Sequence, residues 1–120
     1  MKTLFRVDAG LQVGLGHLQR CLSLAAGLRH LGCSSLFLSS PEPMAVERVK
    51  AAGVEYLPLR SKQPWSMEDC EEALAAASEH SCQAIVVDSY HDGEEYLARL
   101  RRSGLFICAI EDLDPGYSFS

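Results

Sequence analysis

The stretch "TLFRVDAGLQVGLGHLQRCLSLAAGLRHLG", residues 3–32, decides the fold. Residues 3–9 are short, apolar and β-prone, and they run into Gly10, Gly14 and Gly16. From Leu18 onward the pattern changes period. Leu18, Cys21, Leu22, Ala25, Leu28 and Leu31 recur at the i, i+3, i+4, i+7 spacing of one helical face. Gly32 then stands where a helix C-terminal cap belongs. A strand, a glycine turn and an amphipathic helix form the first half of a βαβ unit.

The rest of the chain repeats this alternation. "SSLFLSS" (34–40) predicts a second strand, "PEP" interrupts it, and a helix over 44–52 is stopped by Gly53. "VEYLPLR" (54–60) predicts a third strand, and "SKQPW" a loop. Ser66 with Asp69 makes a variant capping box for a helix carrying Met67, Cys70, Leu74 and Ala77 on one face. "QAIVVDSY" (83–90) is apolar until Asp88, as a strand buried on both faces should be. Asp92 and Glu95 are a capping pair for a helix with Tyr96, Leu97 and Leu100, which Gly104 ends, and "LFICAIED" (105–112) predicts a fifth strand. Strict alternation of strands and helices predicts a Rossmann-like α/β fold in three α/β/α layers, with a five-stranded parallel sheet. One domain over residues 1–120 is expected, since 120 residues suffice for one core but not two.

Composition excludes several classes. A net charge of -5 without a basic run longer than Arg101–Arg102 argues against a nucleic-acid partner. The five cysteines are odd in number and contain no CxxC pair, which suits separate thiols in a reducing cytoplasm. The first ten residues carry an early Arg and Asp, unlike a secretory signal, and no apolar stretch is long enough for a membrane span. A cytoplasmic protein without a membrane partner is expected.

Ligands of such sheets bind beyond the carboxyl ends of the strands, and polar residues gather there: Asp8, then Asp88, Ser89, Tyr90 and His91, then Glu111, Asp112 and Asp114. The glycine turn departs from a dinucleotide fingerprint. Gln19 occupies the third glycine position, and no acid follows the second strand. A phosphate-loop lysine is lacking too. What remains is a turn that lets backbone approach a ligand, with His17 in the first turn of a helix. The positive helix end disfavours imidazolium, so His17 is expected to be neutral and able to accept a proton from water; the alternative is a local hydrogen-bonding role. Arg20 could reach a phosphate or point to solvent. Trp65 could stack on a sugar or base, or anchor its loop.

The pattern R-x-D followed by G-x-G-H-x-x-R is met by Arg6, Asp8, Gly14, Gly16, His17 and Arg20. With "VVDSYH" (86–91) and "IEDLD" (110–114), it resembles the N-terminal segment of the bacterial UDP-sugar hydrolases of pseudaminic acid biosynthesis, and is similar to the spore coat polysaccharide biosynthesis protein G family. The resemblance implies the N-terminal half of a glycosyltransferase-B-like architecture, with the active site in a cleft shared with a C-terminal nucleotide-binding domain that this sequence lacks. It implies a nucleotide-sugar ligand, hydrolysis with water activated by His17, and substrate contacts from Arg6, Asp8, Gly14, Gly16, Arg20, Asp88, Tyr90 and Asp112. No metal and no cofactor are implied. Such a domain is incomplete as an enzyme on its own, and a homo-oligomer or a separate C-terminal partner would complete it. The alternatives are a sugar-binding module that does not catalyse, and a structural Rossmann-like domain. Glu111 departs from the family's I-D-D-L motif by one methylene.

Overall fold

Strand β1 (Lys2–Arg6) lies at the centre of a sheet whose order is β3-β2-β1-β4-β5, with β2 at Ser34–Ser39, β3 at Glu55–Pro58, β4 at Ala84–Asp88 and β5 at Phe106–Ile110. The computed structural model describes residues 1–8, 16–88 and 94–110. Every pairing is parallel, with Phe5 level with Phe37 of β2 and Val86 of β4. Four helices connect the strands: α1 (Gly16–His30), α2 (Pro43–Ala51), α3 (Met67–Glu79) and α4 (Glu94–Arg101). The expected α/β Rossmann-like fold is the one observed.

The period-2 alternation of the central strands sorts the core into two layers. On one face Phe5, Val7, Phe37 and Val86 pack with Leu18, Cys21, Leu22 and Ala25 of α1 and Ala45 and Val49 of α2. The rings of Phe5 and Phe37 stack at 4.7 Å. On the other face Leu4, Leu36, Leu38, Ile85 and Val87 meet Cys70, Ala73 and Ala77 of α3 and Tyr96 and Leu100 of α4. The apolar stripe of α1 is buried from Leu18 to Ala25, whereas Leu31 lies past the helix end and is 79% exposed. At the edge of the sheet Phe106 is 70% exposed. No two of the five cysteines are joined in a disulfide.

The helices run opposite to the strands, so their C-termini gather at the amino end of the sheet. Three of them close in the same way. After α1, Cys33 N–H donates to Leu28 C=O and Gly32 N–H to Arg29 C=O. After α2, Val54 and Gly53 donate to Val49 and Lys50. After α3, Cys82 and Ser81 donate to Ala77 and Ser78. These are Schellman closures, which need a left-handed residue at the first position past the cap. Gly32 (φ 84°) and Gly53 (φ 75°) supply it without a steric cost, but in α3 a serine, Ser81, takes φ 57°. At the other end, α2 starts with Pro43 in its first turn, and Glu42 caps it by accepting from Ala45 N–H at 3.1 Å. "PEP" therefore opens the helix as well as ending the strand before it.

Candidate functional site at the carboxyl end of the sheet

At the end of β1, directly after Leu4 and Phe5, Arg6 points to the α3–α4 side and is fully buried. A guanidinium there needs partners, and all three of its nitrogens find carboxylates. Nε donates to Asp69 Oδ1 and Oδ2 at 3.0 and 3.2 Å, and Nη2 to Asp69 Oδ2 at 2.7 Å. Nη1 and Nη2 donate to Asp8 at 2.8 and 3.2 Å. The Trp65 ring lies over the guanidinium at 4.2 Å, a cation–π contact, and tilts against Tyr96 at 5.2 Å. Arg6, expected to touch substrate, thus spends its fork on two residues of its own chain. A ligand reaching it would have to displace one of them.

One cation faces two carboxylates, and neutral donors complete the cluster. Asp69 accepts from Tyr96 O–H at 2.6 Å and Trp65 N–H at 2.5 Å, and Asp8 accepts from Ser40 N–H at 2.8 Å. Burial alone would raise the Asp8 pKa, but the hydrogen bonds and charge of Arg6, with Ser40, hold it below the usual carboxylate range. Burial and the neighbouring charge of Asp69 push the Tyr96 hydroxyl well above its ordinary value, so it stays a donor. The expected capping box is present in altered form. Ser66 Oγ accepts from Asp69 N–H at 3.2 Å, yet the Asp69 carboxylate turns inward to Arg6 and takes the amide of Trp65 instead of that of Ser66. Trp65 carries this contact at φ 68°, a left-handed conformation that a bulky residue holds only when its surroundings impose it.

On the opposite face, α1 begins at Gly16, where an added methyl would meet nothing within 4 Å among the described residues. His17 follows, only 6% exposed. One turn on, the exposed Arg20 places Nη2 at 3.1 Å from His17 Nδ1. At the end of β2, the hydroxyl of Ser39 is buried with no hydrogen-bond partner among the described residues, while its carbonyl accepts from Tyr56 O–H and Leu59 N–H. Buried hydroxyls are ordinarily satisfied, so Ser39 marks a place able to receive a ligand hydroxyl or a water. Asp88 closes β4 opposite Ile110. Gly14, Tyr90 and Asp112 lie outside the described residues, as do His91 and Glu111.

Asp8, Ser39, Ser40 and the start of α1 therefore share the carboxyl side of the central strands, where the topology places ligands. Asp69, Tyr96 and Ser39 were not singled out from sequence as site residues. Nothing local distinguishes Asp69 from an ordinary first-turn acid, because its partner is 63 positions away. A cavity of about 440 Å³ opens at the other end of the sheet, beside Arg29, Cys33, Ser35 and Glu55. Its charged groups are already engaged, Arg29 with the Gly53 carbonyl and Glu55 with Lys2. Among the described residues no group of three or more His, Cys, Asp or Glu could hold a metal ion, and no helix is long and apolar enough to cross a membrane.

No family model and no curated protein matches the chain. Solved structures do. A glycosyltransferase from Rickettsia africae superposes with TM-score 0.70 at 12% identity, over 95% of this chain and 31% of that one. A UGT transferase from Siraitia grosvenorii in complex with UDP matches with TM-score 0.63 at 18% identity, over 91% and 27%. A formyltetrahydrofolate deformylase from Burkholderia mallei matches with TM-score 0.61 at 15% identity, over 99% and 41%. The chain thus spans about a third of the length of the glycosyltransferases it matches and has the fold of their N-terminal halves. These findings correct the expected membership of the UDP-sugar hydrolases: no family model and no curated protein supports it, and the structural neighbours include glycosyltransferases instead. The physical reason is that a strand, a glycine turn and a helix are demands of the fold, so a short motif on them carries little family information. At these identities the likeness establishes the fold, which different chemistries share.

Proposed function

We propose that the chain is the N-terminal half of a two-domain, glycosyltransferase-B-like protein that handles a nucleotide sugar, and that the carboxyl ends of β1 and β2 receive the sugar portion. The observation that carries this reading is Asp8. Its carboxylate is held ionised by Arg6, is partly accessible at 11% of its side chain, and stands at the end of the central strand. An ionised carboxylate accepts sugar hydroxyls strongly, and the Ser39 hydroxyl, without a partner among the described residues, adjoins the same end of the sheet. The likeness to glycosyltransferases, one of them holding UDP, supports the ligand class. On this reading the domain binds, and turnover needs the second half of the cleft.

Calorimetric titration of the full chain with UDP-N-acetylglucosamine tests it. Saturable binding is expected, weakened about tenfold by Asp8→Asn, or roughly 1.4 kcal/mol. Thermal melts establish that the variant is folded. Absence of binding by the wild-type chain, at concentrations up to several millimolar, would overturn the reading.

A further inference from the structure

The contact between Arg20 and His17 fixes more than a side-chain position. Arginine has five N–H donors, no acceptor and no accessible neutral form. At 3.1 Å from Arg20 Nη2, His17 Nδ1 can therefore only be the acceptor. A neutral imidazole has one acceptor nitrogen and one N–H. With Nδ1 accepting, the proton must sit on Nε2. We propose that Arg20 is a positioning residue that holds His17 in the Nε2–H tautomer, so that His17 meets its ligand as a hydrogen-bond donor and not as a base that takes a proton from water.

Three features of the fold converge on this arrangement. The i, i+3 spacing on α1 brings the two side chains together one turn apart. His17 is buried and Arg20 exposed, so the guanidinium stays hydrated on one side while capping the buried ring on the other. The ring also lies in the first turn of a fifteen-residue helix, on the side of the sheet where the topology places ligands. A neutral Nε2–H donor suits an oxygen that is, or becomes, negatively charged, and a nucleotide sugar presents such oxygens on its diphosphate. That last step rests on the nucleotide-sugar reading; the tautomer does not.

The test separates the two. Long-range ¹H–¹⁵N correlation spectra of the uniformly labelled full chain assign the tautomer of His17 directly. The Nε2–H pattern is expected at neutral pH, and Arg20→Met, an exposed substitution that leaves the core intact, should convert it to a mixture. An Nδ1–H pattern in the wild type, or an unchanged pattern in Arg20→Met, overturns the proposal whatever the ligand. For the ligand step, His17→Gln retains an N–H donor near the Nε2 position but cannot act as a base. UDP-N-acetylglucosamine affinity within about threefold of wild type for His17→Gln, against a loss of about tenfold for His17→Ala, supports the donor role. Equal losses in both variants overturn that role and leave the tautomer result standing, and absence of wild-type binding counts against the nucleotide-sugar reading alone.

Discussion

The two ends of the sheet are built by different rules. At the amino end, α1, α2 and α3 stop with the same pair of backbone hydrogen bonds, each within six residues of sequence. At the carboxyl end, the decisive contacts join positions 63 apart (Arg6 to Asp69) and 27 apart (Asp69 to Tyr96). The first end is a set of local solutions repeated three times. The second is a single cluster to which β1, α3 and α4 each contribute one member. Damage at the first end should therefore be small and separable, and damage at the second large and shared.

The largest effect is expected at the cluster. Asp69→Ala removes the acceptor for Arg6, Tyr96 and Trp65 at once and leaves a buried guanidinium with Asp8 alone. A loss of about 3–5 kcal/mol is expected, measured by urea unfolding at neutral pH. A loss below 1 kcal/mol would erase the contrast between the two ends.

An intermediate effect is expected in alkali, with its sign set by raised pKa values. Burial pushes the Cys70 thiol up to about 11 from 9.0, and the Tyr96 hydroxyl is pushed up as well. Both are then protonated in the folded protein when the unfolded chain has begun to ionise. Their stabilisation is present below the unfolded values and is lost as pH rises, from about 9 for Cys70 and about 10 for Tyr96. Unfolding free energy should fall by about 2 kcal/mol between pH 9 and 11 on account of Cys70, and Cys70→Ala should remove that part. Parallel slopes for the two proteins would show that this thiol is not the source.

The smallest effect belongs to the amino end. Ser81 holds the left-handed position that glycine fills after α1 and α2. Ser81→Gly is expected to gain about 0.5–1 kcal/mol, because the strain relieved exceeds the flexibility added to the unfolded chain. Gly32→Ala should lose a comparable amount. Thermal unfolding of the two variants reads both signs, and a loss in Ser81→Gly would mean that its side chain has a role beyond the turn.

The same division explains what was legible in the sequence. Element type and order follow from periodicity and from Gly32, Gly53 and Gly104, all of which sit at positive φ past a helix. The end of α3 carried no such glycine and went unmarked. Strand limits are displaced by a residue or more, as with 3–9 against Lys2–Arg6, because composition marks a strand without marking where its ladder starts and stops. Asp8, His17 and Arg20 were legible as polar residues beside a glycine turn, where a ligand would come. The partner that occupies Arg6 was not, since burial of an arginine depends on a carboxylate supplied by a distant helix. Which nitrogen of His17 keeps the hydrogen is not legible from the helix end; on the proposal above it is set by Arg20, one turn further on.

Trp65 is the protein's only tryptophan, and it stands against Arg6 and Tyr96. Excited beyond the absorption band of the four tyrosines, the intrinsic fluorescence of this protein is therefore the emission of one ring resting on one cation. Without any label, its wavelength and yield report on the charge cluster, and so distinguish disturbance at the carboxyl end from fraying at the other.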